Sequence, residues 1–112
     1  MAPTGPSPSR RAPLRRFVVA DRSMEPTLVD GQGLVATPWG RARPGQLRVL
    51  PHPWHPGRWL VKRVTEVRPD GTMLIGSDNA GATRADSREL GAVPVAGTYR
   101  VVLRVPRRVT GA

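Results

Sequence analysis

The chain has 112 residues, of which 38% are hydrophobic, with 12 glycines, 13 prolines and no cysteine. This size suits one small domain with a single core, and the missing cysteine excludes disulfides, thiolate metal sites and cysteine nucleophiles. The formal net charge is +10, but residues 17–105 hold twelve basic and eight acidic residues, so most of the excess lies in the two ends.

The two ends of the sequence read differently from its middle. Residues 1–16 carry four prolines and four arginines and lack the apolar stretch of a secretory signal. We therefore expect a disordered basic lead-in at 1–16, one domain at 17–105 and a flexible tail at 106–112. No apolar run approaches the roughly 18 residues that span a bilayer, so we expect a cytoplasmic protein without a membrane anchor.

Short strands alternate with turns along the middle of the chain. The predicted strands are residues 17–20, 33–36, 46–50, 58–67, 72–75 and 98–105. Pro69, Asp70 and Gly71 supply hairpin-turn chemistry between the fourth and fifth strands. In the last strand, Tyr99, Val101, Leu103 and Val105 fall on one face. The pattern predicts a mainly β domain with short turns and a long polar loop at residues 76–91.

Lys62 is the only lysine, although the chain has seventeen arginines. Lysine can lose its proton in a protein and arginine effectively cannot, so a single lysine points to a position that needs a base. With a side-chain period of two, Lys62 shares a face with Leu60 and Val64, where desolvation would lower its pKa. The alternative is a surface lysine on an edge strand, where charges are common.

A lysine base needs a hydroxyl to deprotonate, and the chain has five serines. Ser7 and Ser9 lie in the lead-in, and Ser77 and Ser87 lie in the polar loop. Ser23 opens a tight segment that Pro26 stiffens, although a serine there is equally suited to cap a helix.

Residues 23–28 (SMEPTL) resemble the nucleophile box of the type I signal peptidases. Other boxes of that family have counterparts in the same order: residues 31–35 (GQGLV), 44–49 (PGQLRV), 60–64 (LVKRV) and 76–94. The resemblance implies the small β fold that signal peptidases share with the SOS-repressor proteases. It also implies a serine endopeptidase in which Ser23 is the nucleophile and Lys62 the general base. We then expect Ser23 Oγ to lie about 2.6–3.2 Å from Lys62 Nζ, or somewhat further away without substrate.

The same resemblance assigns supporting roles to further residues. Asp86 and Arg88 match residues that hold the last box near the lysine, and Thr83 or Ser77 would supply the hydroxyl that orients it. Met24 and Pro26 would contact the substrate.

The sequence also departs from the family pattern. Asp21 stands two residues before the nucleophile, where the family has glycine or serine. An ionised aspartate cannot donate a hydrogen bond, so an oxyanion would rely mainly on the Ser23 backbone N–H. Gln32 and Gln46 replace two aspartates, Ser77 is an insertion, and Arg84 occupies the position of the family serine that orients the lysine.

Because this chain is short and no membrane anchor is expected, it resembles the nickel-type superoxide dismutase maturation proteases. That likeness implies a precursor protein with an N-terminal leader as substrate, cleaved by a monomer, and no nucleic-acid partner. Two alternatives stay open: a self-cleaving domain of the SOS-repressor type, and a basic nucleic-acid-binding module. His52 and His55 lie near no carboxylate in sequence, so we expect no metal site and no cofactor.

Overall fold

The computed structural model describes residues 13–82 and 85–106. As expected, this part of the chain is mainly β and forms one antiparallel sheet. Its strands are β1 (Arg15–Val18), β2 (Gly33–Thr37), β3 (Leu47–Pro51), β4 (Trp59–Val67), β5 (Thr72–Gly76), β6 (Val93–Pro94) and β7 (Tyr99–Val105). A 3-10 turn at Ala80–Ala82 and a one-turn helix α1 (Ser87–Leu90) complete the described elements.

The strand order across the sheet is β1-β2-β7-β3-β4-β5-β6. Strand β4 pairs with β3 on one side and β5 on the other, so it is an interior strand. Lys62 lies in the middle of β4, directly opposite Arg48 of β3. The edge-strand alternative for Lys62 is therefore wrong.

Hydrophobic side chains form two clusters, and adjacent residues of one strand belong to different clusters. Val49 of β3 belongs to the first cluster and Leu50 to the second, so the clusters lie on opposite faces of β3. The first cluster is made of Val19, Met24, Leu28, Leu34, Ala36 and Val49. The second is made of Leu50, Leu60, Val64, Met73, Ile75 and Val93. Burial of this second face is what places Lys62 among apolar side chains.

Several element boundaries differ from the sequence prediction. Strand β1 begins at Arg15, two residues earlier than the expected start of the domain, because the arginines pair with β2 and leave their side chains exposed. The polar loop contains the 3-10 turn and α1, since Asp86 caps the helix by accepting from Arg88 N. Strand β6 follows immediately and pairs with β5.

The predicted apolar face of the last strand is only half buried. Tyr99 and Val101 pack against the first cluster, but Leu103 and Val105 are exposed. Strand β7 pairs with β3 only at Arg100 and Tyr99, and beyond that point it continues along β2 alone. Alternation alone does not show where a neighbouring strand ends.

Candidate active site

Ser23 lies in a closed excursion between β1 and β2. Val19 N donates to Gln32 O at 2.9 Å and Gly31 N donates to Val19 O at 2.8 Å, so the two ends of the excursion are joined. Leu28 N donates to Met24 O at 2.9 Å and forms a single helix-like turn. With these bonds in place, Ser23 is 2% exposed.

Asn79 attaches this excursion to the polar loop that follows β5. Its backbone N–H donates to Ser23 O at 2.7 Å, and its side-chain Nδ2 donates to Arg22 O at 2.9 Å. Both carbonyls belong to the turn at residues 22–28, called here the serine turn. Asn79 therefore fixes the direction in which this turn presents Ser23.

Asp78 makes a second link between the excursion and the sheet. Its carboxylate accepts two hydrogen bonds from Arg63 of β4, at 2.9 and 2.7 Å, and one from Thr27 Oγ1 at 2.5 Å. A bidentate pair of this kind constrains geometry as well as contributing energy. Arg63 follows Lys62 in the chain, so this link ties the serine turn to the strand that carries the lysine.

Lys62 is 1% exposed and lies between Leu60 and Val64, which are also buried. Its Nζ donates to Ser77 Oγ at 2.9 Å. The Ser77 hydroxyl lies close enough to the Asp86 carboxylate to help lower the pKa of that group. Lys62, Ser77 and Asp86 therefore form a short chain of polar contacts that begins on the apolar face of β4.

The environment lowers the pKa of Lys62 below the ordinary lysine value. Burial is the main cause, and the charges of Arg58 and Arg88 act in the same direction. The negative charges of Asp21 and Asp86 oppose it. This direction agrees with the expectation from the Leu60 and Val64 face, because a desolvated ammonium loses its proton more readily.

Asp86 and Arg88 are held by the first turn of α1. Asp86 Oδ1 accepts from both the backbone N and the Nε of Arg88, each at 3.0 Å. Although burial raises the pKa of Asp86, hydrogen bonds from Arg88 and Ser77 outweigh it and keep the pKa below its usual value. Ser87 Oγ accepts from Ile75 N at 2.8 Å, which fastens α1 to β5.

The hydroxyl beside Lys62 is that of Ser77, one of the two candidates from the sequence. The other candidate, Thr83, lies outside the described residues together with Arg84.

Ser23 contacts Asp21 and makes no described hydrogen bond to Lys62. The Ser23 N–H donates to Asp21 Oδ1 at 2.9 Å, and the Ser23 hydroxyl lies close enough to this carboxylate to help lower its pKa. Among the described residues, the expected Ser23–Lys62 hydrogen bond is absent, and Lys62 Nζ donates to Ser77 Oγ instead.

The two residues assigned to substrate contact lie in different environments. Met24 is completely buried in the first cluster, and its sulfur accepts from Asp78 N at 3.4 Å. It presents no surface to a substrate, so that assignment is corrected, whereas Pro26 is exposed. A small cleft beside Asp21 is lined by Phe17, Val18, Val19, Ala20, Asp21, Leu34, Val49, Trp59, Leu60 and Val61.

The histidine pair is a local packing feature. The rings of His52 and His55 meet edge to face with centroids 4.4 Å apart, and His52 Nδ1 accepts from Trp54 N. Across residues 13–82 and 85–106, no group of three or more His, Cys, Asp or Glu side chains could hold a metal ion. No helix in the same ranges is long and apolar enough to cross a membrane.

Sequence reasoning missed how Asp78, Asn79 and Arg63 position the serine. All three lie in segments that resemble signal-peptidase boxes, but their long-range hydrogen bonds leave no periodic signal. In the sequence, Asp21 stands out only as a departure from the family pattern. An aspartate two residues before a backbone N–H is a frequent turn former, and that local pattern was the available signal for its contact with Ser23.

The arrangement combines a buried serine, a buried lysine of lowered pKa and the Asp21 carboxylate, which lines a small cleft. Such a combination can support proton transfer from a serine to a neutral amine. Comparison with models of known protein families and with curated proteins found no match.

Proposed function

We propose that the chain is a serine endopeptidase in which Ser23 is the nucleophile and Lys62 the general base. The observation that carries the proposal is the burial of the sole lysine on an interior strand, with a lowered pKa and a hydroxyl partner. A buried lysine without a carboxylate hydrogen-bonded to its Nζ is costly as an ammonium, whereas a neutral amine fits this position.

In the proposed reaction, Ser23 Oγ attacks the carbonyl carbon of a peptide bond and passes its proton to Lys62 Nζ. The tetrahedral intermediate collapses, and the leaving amine takes the proton from Lys62 as the C–N bond breaks. Water then attacks the resulting ester while Lys62 accepts its proton. Lys62 passes that proton to Ser23 Oγ as the acyl C–O bond breaks, so the acid product leaves and both groups are restored. For the first step, the Ser23 hydroxyl must turn from Asp21 towards Lys62.

Ser77 and Asp86 have a positioning role in this proposal. Ser77 Oγ accepts from Lys62 and directs its hydroxyl hydrogen to Asp86, so the lysine keeps one orientation in either protonation state. The cleft lined by Val18, Leu34 and Trp59 would receive apolar side chains of the substrate. Pro26 lies exposed at the rim of the serine turn.

We propose that the substrate is a precursor protein from which a leader is removed in trans, with the nickel superoxide dismutase precursor as the first one to test. This choice rests on the resemblance of residues 23–28 and 60–64 to the boxes of signal peptidases. It also rests on the likeness to the maturation proteases.

The test incubates purified chain with this precursor, with and without a chelator, between pH 6 and 10. Cleavage should survive the chelator and rise with pH, because Lys62 must be neutral to accept a proton. Cleavage lost with chelator, or a rate falling steadily with pH, would contradict the Ser/Lys mechanism. Cleavage of another leader peptide but not this precursor would leave the mechanism and remove the proposed substrate.

A further inference from the structure

The backbone N–H of Ser23 already donates a hydrogen bond within the protein. Formation of a tetrahedral intermediate places negative charge on the former carbonyl oxygen, which needs preorganised hydrogen-bond donors. The N–H of the nucleophilic residue is the donor that the proposed chemistry requires, and in this structure it donates to Asp21 Oδ1 at 2.9 Å. A substrate oxygen and the Asp21 carboxylate therefore compete for the same hydrogen.

The carboxylate is ionised under ordinary conditions. Partial burial raises the pKa of Asp21, but hydrogen bonds from the Ser23 N–H and hydroxyl outweigh it, helped by the charges of Lys62 and Arg58. The result is a pKa below the usual aspartate value. A charge-assisted hydrogen bond is stronger than one to a neutral carbonyl, and a carboxylate in this position also repels a developing oxyanion.

We propose that Asp21 is an internal inhibitory cap on the candidate active site, which a productive substrate must displace before Ser23 reacts. The Asp21 cap means the hydrogen bond from the Ser23 N–H to Asp21 Oδ1, with the Ser23 hydroxyl close to the same carboxylate. Asp21 also lines the small cleft, so a substrate group that enters the cleft lies beside the cap. The predicted effect of the cap on the cleavage rate rests on the proposed function. The contact between Asp21 and Ser23 does not.

Displacing or removing the cap has a second effect, on Lys62. The charged groups that act on Lys62 are Asp21 and Asp86, which raise its pKa, and Arg58 and Arg88, which lower it. Without the Asp21 charge, less opposes the lowering of the Lys62 pKa by burial. The lysine therefore becomes neutral at a lower pH. A variant without this carboxylate should therefore react faster and reach its maximal rate at lower pH.

The first experiment detects the cap without any enzyme assay, by following the Ser23 amide proton of the full chain in NMR spectra. In the wild type this signal should titrate with a carboxylate pKa below the usual value of about 3.9, and in Asp21→Ala the titration should vanish and the signal move upfield. Asp21→Asn, which keeps the side-chain shape, should give a smaller shift. A Ser23 signal that ignores both substitutions would overturn the proposal.

The second experiment measures cleavage of a leader peptide by the same variants. Asp21→Ala should raise kcat about tenfold, the scale of one hydrogen bond to a charged group, and shift the acid limb of the pH profile to lower pH. Asp70→Asn is the matched control, because Asp70 holds Thr72 N–H and hydroxyl in the same way on the exposed hairpin, and it should leave kcat unchanged.

The outcomes separate the cap from the proposed activity. A slower Asp21→Ala enzyme would overturn the cap and make Asp21 a residue that assists catalysis. If the Ser23 amide shows the cap but neither wild type nor variant cleaves any leader peptide, the cap stands and the proposed function fails. Asp21→Asn serves for both readouts if Asp21→Ala does not give a folded spectrum.

Discussion

Asp21 and Asp70 make the same local contact in two different surroundings. Asp21 Oδ1 accepts from Ser23 N at 2.9 Å, and Asp70 Oδ1 accepts from Thr72 N at 3.0 Å and from its hydroxyl at 2.6 Å. Hydrogen bonds lower the pKa of both aspartates. Asp70 is exposed at the turn between β4 and β5, whereas Asp21 lies against a cleft with Lys62 nearby.

The comparison separates a turn motif from a site. The i to i+2 hydrogen bond of an aspartate is a local way to form a turn, and both segments use it. Of the two, only Asp21 accepts from the N–H of a buried serine and acts electrostatically on a buried lysine. The hydrogen bond is the same in both places, so any difference in chemistry must come from the neighbours.

The strongest test of this difference removes the hydroxyl of Ser23 and, separately, that of Thr72. Ser23→Ala should lower cleavage of a leader peptide by about 10³-fold or more, since it removes the proposed nucleophile. Thr72→Ala should leave the rate unchanged and reduce thermal stability only slightly, because the lost hydrogen bond is exposed. Equal rates for Ser23→Ala and wild type would show that the two turns are equivalent and remove Ser23 as nucleophile.

The cation beside each aspartate offers the next test, because Arg68 acts on Asp70 as Lys62 acts on Asp21. Lys62→Met and Lys62→Arg should each lower the rate by about 10³-fold or more, since neither side chain can accept the serine proton near neutral pH. Arg68→Met should keep full activity. Kinetic assays of the three variants check this, and substantial activity in Lys62→Arg would mean that Lys62 supplies only charge.

A smaller effect is expected from the hydroxyl that contacts Lys62. Ser77→Ala should lower kcat about tenfold, because Lys62 loses the partner that fixes its orientation. Ser87→Ala is the control, since the Ser87 hydroxyl accepts from Ile75 N and donates to Gly91 O without contacting the lysine. Ser87→Ala should reduce thermal stability while leaving kcat nearly intact. If Ser87→Ala lowers kcat and Ser77→Ala does not, Ser77 does not position Lys62.

The smallest expected effect is on stability as a function of pH. Folding lowers the pKa of Lys62, so the folded state releases this proton at a lower pH than the unfolded chain does. The resulting penalty is full below the lowered pKa and disappears as pH rises to the unfolded value of about 10.4. Denaturant unfolding should therefore show wild type gaining stability relative to Lys62→Met across that window. The gain should be about 1.4 kcal/mol for each tenfold weakening of proton binding to Lys62 on folding. A constant difference would mean that burial does not perturb the lysine.

Much of the fold could be predicted from local patterns in the sequence. Alternation in residues 58–67 predicted the longest strand and the burial of Lys62, and the turn at Asp70 and Gly71 predicted the β4–β5 hairpin. Spacing could not show that β7 continues past β3, nor that the polar loop contains α1 and ends beside β6. These features depend on which strands become neighbours, which is a property of the whole sheet.

The site was only partly predictable for the same reason. Ser23, Lys62 and Ser77 were identified from short motifs, and the structure brings Lys62 and Ser77 into contact. Met24 was misassigned because a motif gives residue order but not burial. The contact of Asp21 with Ser23 depends on backbone dihedral angles within the turn, and composition does not specify them.

Three successive residues after β5 contact three different parts of the candidate site. Ser77 contacts Lys62, Asp78 contacts Arg63 and Thr27, and Asn79 contacts the serine turn. Surface loops ordinarily tolerate insertions at small cost. Here one added or deleted residue would shift every later contact by one position, so the number of residues between β5 and Asn79 is itself part of the site. Transplanting the site into another scaffold therefore requires this spacing as well as the side chains.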